Sequence, residues 1–340
     1  MIPNKILLFG QNWLGDVLFS TPAIRAVRKK YPGARIACLV PPRAEAVLKN
    51  NANVDEVIVY GDRISFFSAL FWKTVFRLRA ARFDTALFFH RSKTRQWLAC
   101  FAGIKNRWGF RYPGRKNLLT KAVDQPPDAK HRIDYFLHLV EALGIPPAGR
   151  LMDFNPDPKA SVDLKKIFAQ ACISQNEPYI VVHAGGNWGL KRWPVEYFSQ
   201  WIYYFLEKYP WRVILCGTRS EEDIARKILA QFPRGEVVSF CGKTSVDALA
   251  LLLKDAKLLL SNDSGPIHLA ASQKTKIVGV FGPTSAEYTG PVSDAPMKIL
   301  QKDVGCQVPC YFESCDYRVC MDFLRPLEVF RQTQSLLGSP

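Results

Sequence analysis

Short apolar runs separated by longer amphipathic stretches repeat along almost the whole chain. Lys5 to Phe9, Arg35 to Val40, Glu56 to Tyr60 and Thr85 to His90 are mostly apolar, the composition of strands buried on both faces. Helical spacing lies between them, from Gly15-Asp16 to about Tyr31 and from Ala44 to Lys49. After a proline-marked break at Asn155-Pro156-Asp157-Pro158 the alternation restarts. Strands are expected at Tyr179, Arg212, Glu236, Leu258 and Ile277, helices near Val195, Glu221, Ser245 and Ile267, and a last helix over Leu324 to Leu337. Strand–helix alternation predicts parallel sheets with crossover helices. Two such series in 340 residues predict two α/β domains, each with its own core.

Four strand ends carry the candidate chemistry. Lys257 to Leu260 reads as a buried strand that runs into Ser261-Asn262-Asp263-Ser264-Gly265-Pro266-Ile267-His268. Small polar residues between a strand and a helix start suit an anion, because the first helical N–H groups lack internal partners. The same residues also suit a plain N-cap. Tyr179 to His183 leads into Ala184-Gly185-Gly186-Asn187-Trp188-Gly189-Leu190-Lys191-Arg192-Trp193-Pro194. Its glycines permit close backbone approach, Lys191 and Arg192 bring two cations, and Pro194 suits a first helical turn. That combination fits a diphosphate, although the P-loop spacing is absent. Near the N-terminus, Gly10-Gln11-Asn12-Trp13-Leu14-Gly15-Asp16 follows a strand without the GxGxxG spacing of a nicotinamide site. Asp16 there is either a helix-start carboxylate or a general base. Val278 to Phe281 is a strand followed by the turn Gly282-Pro283-Thr284. In open α/β sheets this edge is where ligands bind.

Taken together, Asn12-Trp13-Leu14-Gly15-Asp16, Lys191-Arg192-Trp193-Pro194, Asp263-Ser264-Gly265 with His268, and Phe281-Gly282-Pro283-Thr284 resemble the signature of the ADP-heptose:lipopolysaccharide heptosyltransferases, glycosyltransferase family 9. The resemblance spans nearly the whole chain, with the motifs in the same order. The Asn-Trp-Leu-Gly-Asp and Lys-Arg-Trp-Pro forms look more like heptosyltransferase II than I. One departure is Ala184, where relatives often carry proline. The resemblance implies a GT-B fold, two Rossmann-like domains facing across a cleft. It places the acceptor-binding domain at 1–155, the nucleotide-sugar domain at 156–322, and a final helix in 323–340 that returns to the first domain.

Charge adds a partner class. The formal net charge is +16, and residues 1–150 hold 25 Lys and Arg against 10 Asp and Glu, whereas residues 151–340 hold 21 against 20. Arg63 to Lys116 contains 13 basic residues and one acid, Asp84. Such asymmetry implies an acidic partner for the first half: nucleic acid, anionic lipid or a phosphorylated glycolipid. Within it, Ile64 to Phe83 has an apolar helical face of Phe67, Leu70, Phe71, Thr74, Val75 and Leu78, with Trp72 and Phe76 off that face among Lys73, Arg77, Arg79 and Arg82. That pattern suits either a helix packed on its own domain or a membrane-surface element. Mean hydropathy is −0.06, and no apolar run reaches membrane-spanning length or forms a signal-peptide core, so a cytoplasmic location is expected. Of nine cysteines, Cys38, Cys100, Cys172, Cys216 and Cys241 read as scattered reduced thiols. Cys306, Cys310, Cys315 and Cys320 cluster at spacings that are a weak zinc signal. A similar segment near the C-terminus of the family implies a structural role for them, and on the weak spacing signal no metal is expected.

The resemblance implies an inverting transfer of heptose from ADP-heptose to the inner core of lipopolysaccharide. Its partners would be ADP-heptose, a lipid-linked core acceptor and the inner face of the cytoplasmic membrane, with no nucleic acid. Asp16 is the expected base, with Asn12 and Gly15 on the acceptor side. Lys191, Arg192, Asp263, Ser264 and Gly265 are expected at the donor diphosphate. Glu221 is expected to accept from ribose hydroxyls, though it also suits the first turn of a helix. His268 is expected at the donor phosphate or sugar, the alternative being a buried core histidine. Cations and amides would replace a metal, so no cofactor is expected, and stimulation by magnesium is compatible with the mechanism. Two other classes fit parts of the sequence. A nucleotide-sugar epimerase would not need a basic first domain, and the basic half lacks any recognisable nucleic-acid-binding motif.

Overall fold

The computed structural model describes residues 2–61, 65–112, 118–127, 131–174, 176–310 and 312–338. The chain divides into two compact units, Met1–Asn155 and Pro156–Pro340. In the first, β1 (Lys5–Phe9), α1 (Leu14–Lys30), β2 (Arg35–Val40), α2 (Pro42–Lys49) and β3 (Glu56–Val59) form one half. The other half is α3 (Ala69–Ala81), β4 (Thr85–Phe88), α4 (Lys93–Phe101), β5 (Asn106–Phe110), β6 (Lys121–Val123) and α5 (Arg132–Ala142). The strands lie in the order β3-β2-β1-β4-β5-β6, each pair parallel. This is the doubly wound dinucleotide-fold order, with its reversal point between β1 and β4.

The second unit repeats the winding. It comprises α6 (Ala160–Gln170), β7 (Tyr179–His183), α7 (Val195–Lys208), β8 (Arg212–Leu215), α8 (Glu222–Leu229), β9 (Val237–Ser239) and α9 (Val246–Asp255). Then come β10 (Leu259–Asn262), α10 (Gly265–Ser272), β11 (Ile277–Phe281), α11 (Ala286–Thr289), β12 (Met297–Gln301), α12 (Val319–Asp322) and α13 (Pro326–Leu337). Its parallel sheet runs β12-β11-β10-β7-β8-β9, with the reversal between β7 and β10. Every residue of β7 and β11 is buried, as expected for strands covered by helices on both faces.

Helix α1 contains Pro22, which has no N–H to donate to the Leu18 carbonyl four residues back. Thr21 repairs the gap: its hydroxyl donates to Leu18 O at 2.7 Å and accepts from the Asp153 N–H at 2.8 Å. Arg28, Lys29 and Lys30 in the last turn complement the helix dipole, and Asp16 in the first turn does so at the other end.

Two expectations are corrected. The buried stripe of α3 is narrower than the spacing suggested: Phe71, Thr74, Val75 and Leu78 are inside, while Phe67 precedes the helix and is 92% exposed. Leu70, Trp72 and Phe76 are exposed as well, beside Lys73, Arg77 and Arg79. Arg63, Ile64, Arg115 and Lys116 of the basic segment lie outside the described residues. The final helix does not belong to the first domain. α13 packs on α7 and β12, and buries Val329 and Phe330 in the second unit's core with Trp201 and Phe205. Lys276 Nζ and Tyr209 Oη fasten its end by donating to Leu336 O and Gly338 O at 2.9 and 2.7 Å. An apolar face already matched within its own unit leaves no reason to cross over.

Thr21→Val keeps the shape at that position but strands a buried carbonyl and a half-buried N–H. A loss of about 2 kcal/mol or more is expected, read as a lowered midpoint in chemical denaturation.

Candidate functional site

At the reversal point of the second sheet, His183 ends β7 and stands in register with Ser261 of β10. The strand β10 extends through Asn262, so two polar residues lie inside it, both fully buried. They are tolerated because each is satisfied. The Asn262 amide donates to Ala184 O at 3.1 Å and Gly185 O at 2.9 Å, and its oxygen accepts from the Trp193 N–H at 3.0 Å. Asn262 thus clamps both ends of the glycine loop to the neighbouring strand. Trp193, itself buried, donates from its indole to Leu324 O at 2.8 Å.

Asp263 follows, 4% exposed. One of its oxygens, Oδ2, accepts from Lys191 Nζ at 2.7 Å and from the Thr284 hydroxyl at 2.6 Å. Lys191 closes a short 3-10 turn, Gly189–Lys191, and keeps part of its side chain exposed. Three of the four strand ends singled out in the sequence therefore meet at one ion pair: the loops after β7, β10 and β11. Asp263 serves the site by aiming Lys191 and cancelling part of its charge. Arg192 spends donors within the protein, with Nε and Nη2 on Gly186 O at 2.8 and 2.5 Å. Arg318 in turn donates to Arg192 O at 2.8 Å. Ser264 caps α10 at the N-terminus, Gly265 opens it, and His268 lies buried in the same helix.

Glu221 sits at the end of a 3-10 turn, Arg219–Glu221, in a capping box with Thr218. Its Oε2 accepts from the Thr218 N–H and hydroxyl at 2.7 and 2.9 Å; its Oε1 accepts from the Gly186 N–H at 2.6 Å and lies 3.3 Å from His183 Nε2. A carboxylate offers about four lone-pair positions, and all four are met by protein groups. The sequence expectation was ribose contact; in this structure the carboxylate binds the glycine loop. A Cβ on Gly185 would stand 1.8 Å from Glu221 Oε1, so only glycine fits beside it. Burial raises the cost of the charge, but His183 and the two Thr218 donors outweigh it and hold the carboxyl at about 2.

In the first unit, the loop after β1 is held from below by Arg95, which is 3% exposed. Its guanidinium donates to Gly10 O and to Asn12 Oδ1, and lies over the Tyr60 ring at 4.8 Å. Burial pulls it down to about 9. Asn12 Nδ2 is 3.2 Å from His90 Nε2, just beyond β4. Gly10 is required because a Cβ there would come within 2.6 Å of Val40 Cγ1. Gly15 and Asp16 are in the first turn of α1, and Arg132 Nε lies 3.7 Å from Asp16 Oδ1. The Arg132 guanidinium is stacked at 4.9 Å over both Tyr135 and Phe136.

Sequence reasoning missed His183, Asn262, Arg95 and Arg132 as parts of these arrangements. The first two were inside recognised motifs, and only their strand register reveals the role. Arg95 and Arg132 had no signal beyond a basic segment and a helix start. Cys306, Cys310, Cys315 and Cys320 line one cavity of about 580 Å³ beside Leu190 and Pro283. All four are thiols, and burial, with Cys306 and Cys315 nearby, pushes Cys320 up. Among the described residues no group of three or more His, Cys, Asp or Glu side chains is arranged to hold a metal. Nor is any helix there long and apolar enough to cross a membrane.

The Glu221 carboxyl ionises more easily in the folded chain than at its ordinary value of 4.5. Its stabilising contribution is then present above pH 4.5 and is lost as pH falls from there through about 2. Thermal unfolding of wild type and Glu221→Gln should differ most near neutrality. The gap should close steadily as pH is lowered through that window.

The family model for glycosyltransferase family 9 (heptosyltransferase) matches residues 71–317. A lipooligosaccharide heptosyltransferase 2 of Haemophilus ducreyi is 26% identical, covering 88% of this chain and 90% of the relative. Another, of Campylobacter jejuni, is 25% identical over 98% of both chains. The solved structure of Escherichia coli ADP-heptose lipopolysaccharide heptosyltransferase II superposes with a TM-score of 0.79, at 23% identity and 98% coverage of each chain. The fold is that of the GT-B class, two doubly wound units in succession. With the family model matching well over half of its length, the chain belongs to glycosyltransferase family 9 (heptosyltransferase).

Proposed function

We propose that this glycosyltransferase moves heptose from ADP-heptose to the inner core of lipopolysaccharide, with inversion at the transferred carbon. The observation that carries the reading is the Lys191–Asp263 pair at the reversal point of the second sheet, between a glycine loop and the start of α10. A half-neutralised lysine beside helical N–H groups suits a leaving diphosphate, whose charge grows as the glycosidic bond breaks. Lys191, with the amides at Gly265 and beyond, stabilises that charge without requiring a metal. Asp263, Arg192 and Glu221 hold the loops that present these groups. His268 backs the same helix. In the first unit, Asp16 takes the proton from the acceptor hydroxyl, and Arg132 orients its carboxylate. Asn12 and Gly15 shape the acceptor side of that loop. The names of the relatives, two of them lipooligosaccharide heptosyltransferases, support the choice of donor and acceptor.

The test is incubation with ADP-heptose and a heptose-deficient lipopolysaccharide, with mass spectrometry of the glycolipid. Addition of one heptose supports the reading; transfer from another nucleotide-sugar only would reassign the donor. Asp16→Asn retains shape and loses basicity, so turnover should fall roughly 100- to 10,000-fold with donor affinity little changed. A variant keeping more than half the parent turnover would remove Asp16 from the base role.

The exposed face of α3 supports a location at a membrane surface. Phe67, Leu70, Trp72 and Phe76 stand out of the unit among Lys73, Arg77, Arg79 and Arg82, an arrangement suited to the headgroup zone of an anionic membrane. The enzyme then works as a peripheral protein on the cytoplasmic face of the inner membrane, where a lipid-linked acceptor is held. Reversing the charge of Lys73, Arg77 and Arg82 removes three attractions worth about 1 kcal/mol each. Sedimentation with anionic vesicles should drop steeply, and activity on intact glycolipid should drop more than on a soluble truncated acceptor. Equal losses on both acceptors would point instead to acceptor binding by these side chains.

A further inference from the structure

We propose that Ser264 is a hydrogen-bond acceptor for a hydroxyl group of the nucleotide-sugar, held in that state by His183 and Glu221; the proposal rests on the donor-site reading above. Glu221 only accepts, so the 3.3 Å contact with His183 Nε2 places the ring hydrogen on that nitrogen. In the neutral ring the other nitrogen, Nδ1, then carries a lone pair, and it lies 3.0 Å from Ser264 Oγ.

The remaining neighbours of that hydroxyl are also acceptors. Asn262 O is 3.1 Å away and can do nothing else. Ser261 Oγ is 3.3 Å away, and its own hydrogen is directed to Asn262 O at 2.7 Å. One hydrogen on Ser264 thus faces three protein acceptors and turns inward whichever of them receives it. What the half-buried hydroxyl presents outward is lone pairs. A phosphate oxygen placed there would meet oxygen lone pairs with no hydrogen between. A ligand hydroxyl would supply the hydrogen. Within one site the phosphates go to Lys191 and the helix amides, and Ser264 reads the polyol next to them. His183 is a positioning residue in this scheme, and Glu221 fixes its tautomer.

The shared chemistry is an alcohol hydroxyl, carried by the ribose or by the transferred sugar. Calorimetry on the full chain would compare ADP with its 2′-deoxy and 3′-deoxy forms, and ADP-heptose with analogues in which one heptose hydroxyl is replaced by hydrogen. One of these should bind wild type about tenfold more weakly than its parent, the worth of a single hydrogen bond. That gap should vanish in Ser264→Ala, and the analogue concerned identifies the sugar. Pyrophosphate should bind Ser264→Ala as it binds wild type. In wild type, nitrogen-15 spectra should show His183 protonated at Nε2, and His183→Phe should narrow the gap. A gap that persists in Ser264→Ala, or pyrophosphate binding weakened about tenfold by that change, would overturn the proposal. So would a hydrogen on Nδ1 of neutral His183. A wild-type chain that neither binds ADP-heptose nor transfers from it would instead refute the donor-site reading itself.

Discussion

Much of the second unit's site hangs on one buried carboxylate. Glu221 joins the turn after β8 to the loop after β7 and to the side chain that ends β7, using every acceptor position it has. Burying a charge is costly unless it is paired and fully hydrogen-bonded. Here every acceptor position is hydrogen-bonded, and the glycine loop takes its shape from it. Gly185 must lack a side chain because Glu221 occupies that space, and Gly217 leaves room for its other oxygen. Two glycines that look like adaptations to a ligand are thus also required by the protein's own interior.

The doubly wound plan was legible because its inner strands are continuous apolar runs and its strand ends are polar. β5, β6 and β12 were not read. Asn106–Phe110 mixes charge, tryptophan and glycine, Lys121–Val123 is three residues long, and Met297–Gln301 is a partly exposed edge strand. Helix α5 did carry a signal, since Ile133, Phe136, Leu137 and Val140 follow helical spacing. Site membership was legible at the level of motifs but not of partners. Nothing in the sequence says that Asp263 holds Lys191, or that Arg192 turns to Gly186, because such pairings are fixed by register between strands distant in sequence. The fate of the last helix was hidden for the same reason: its apolar face is visible, and the surface that receives it is not.

The basic excess of the first half has two destinations. Several arginines are structural rods: Arg28 donates to Pro32 O, Ala34 O and Asp55, and Arg107 to Ile104 O, Lys105 O and Leu118 O. Arg95 does the same from a buried position. Guanidinium suits this use, with five donors in a fixed fork that can gather several carbonyls. The cations left facing solvent, on α3 above all, are those available to a partner, so the formal charge overstates the attraction that a membrane would feel.

The proline in α1 reaches further than its own helix. By freeing the Leu18 carbonyl it gives Thr21 a task, and the same hydroxyl takes hold of the Asp153 backbone, while Arg25 one turn on grips the Asp153 carboxylate and the carbonyls of Ala148 and Leu151. The helix whose first turn carries Asp16 is therefore riveted to the strap of chain by which the first unit ends. One helix thus carries Asp16 in its first turn and, farther along, the two side chains that anchor the first unit's last segment.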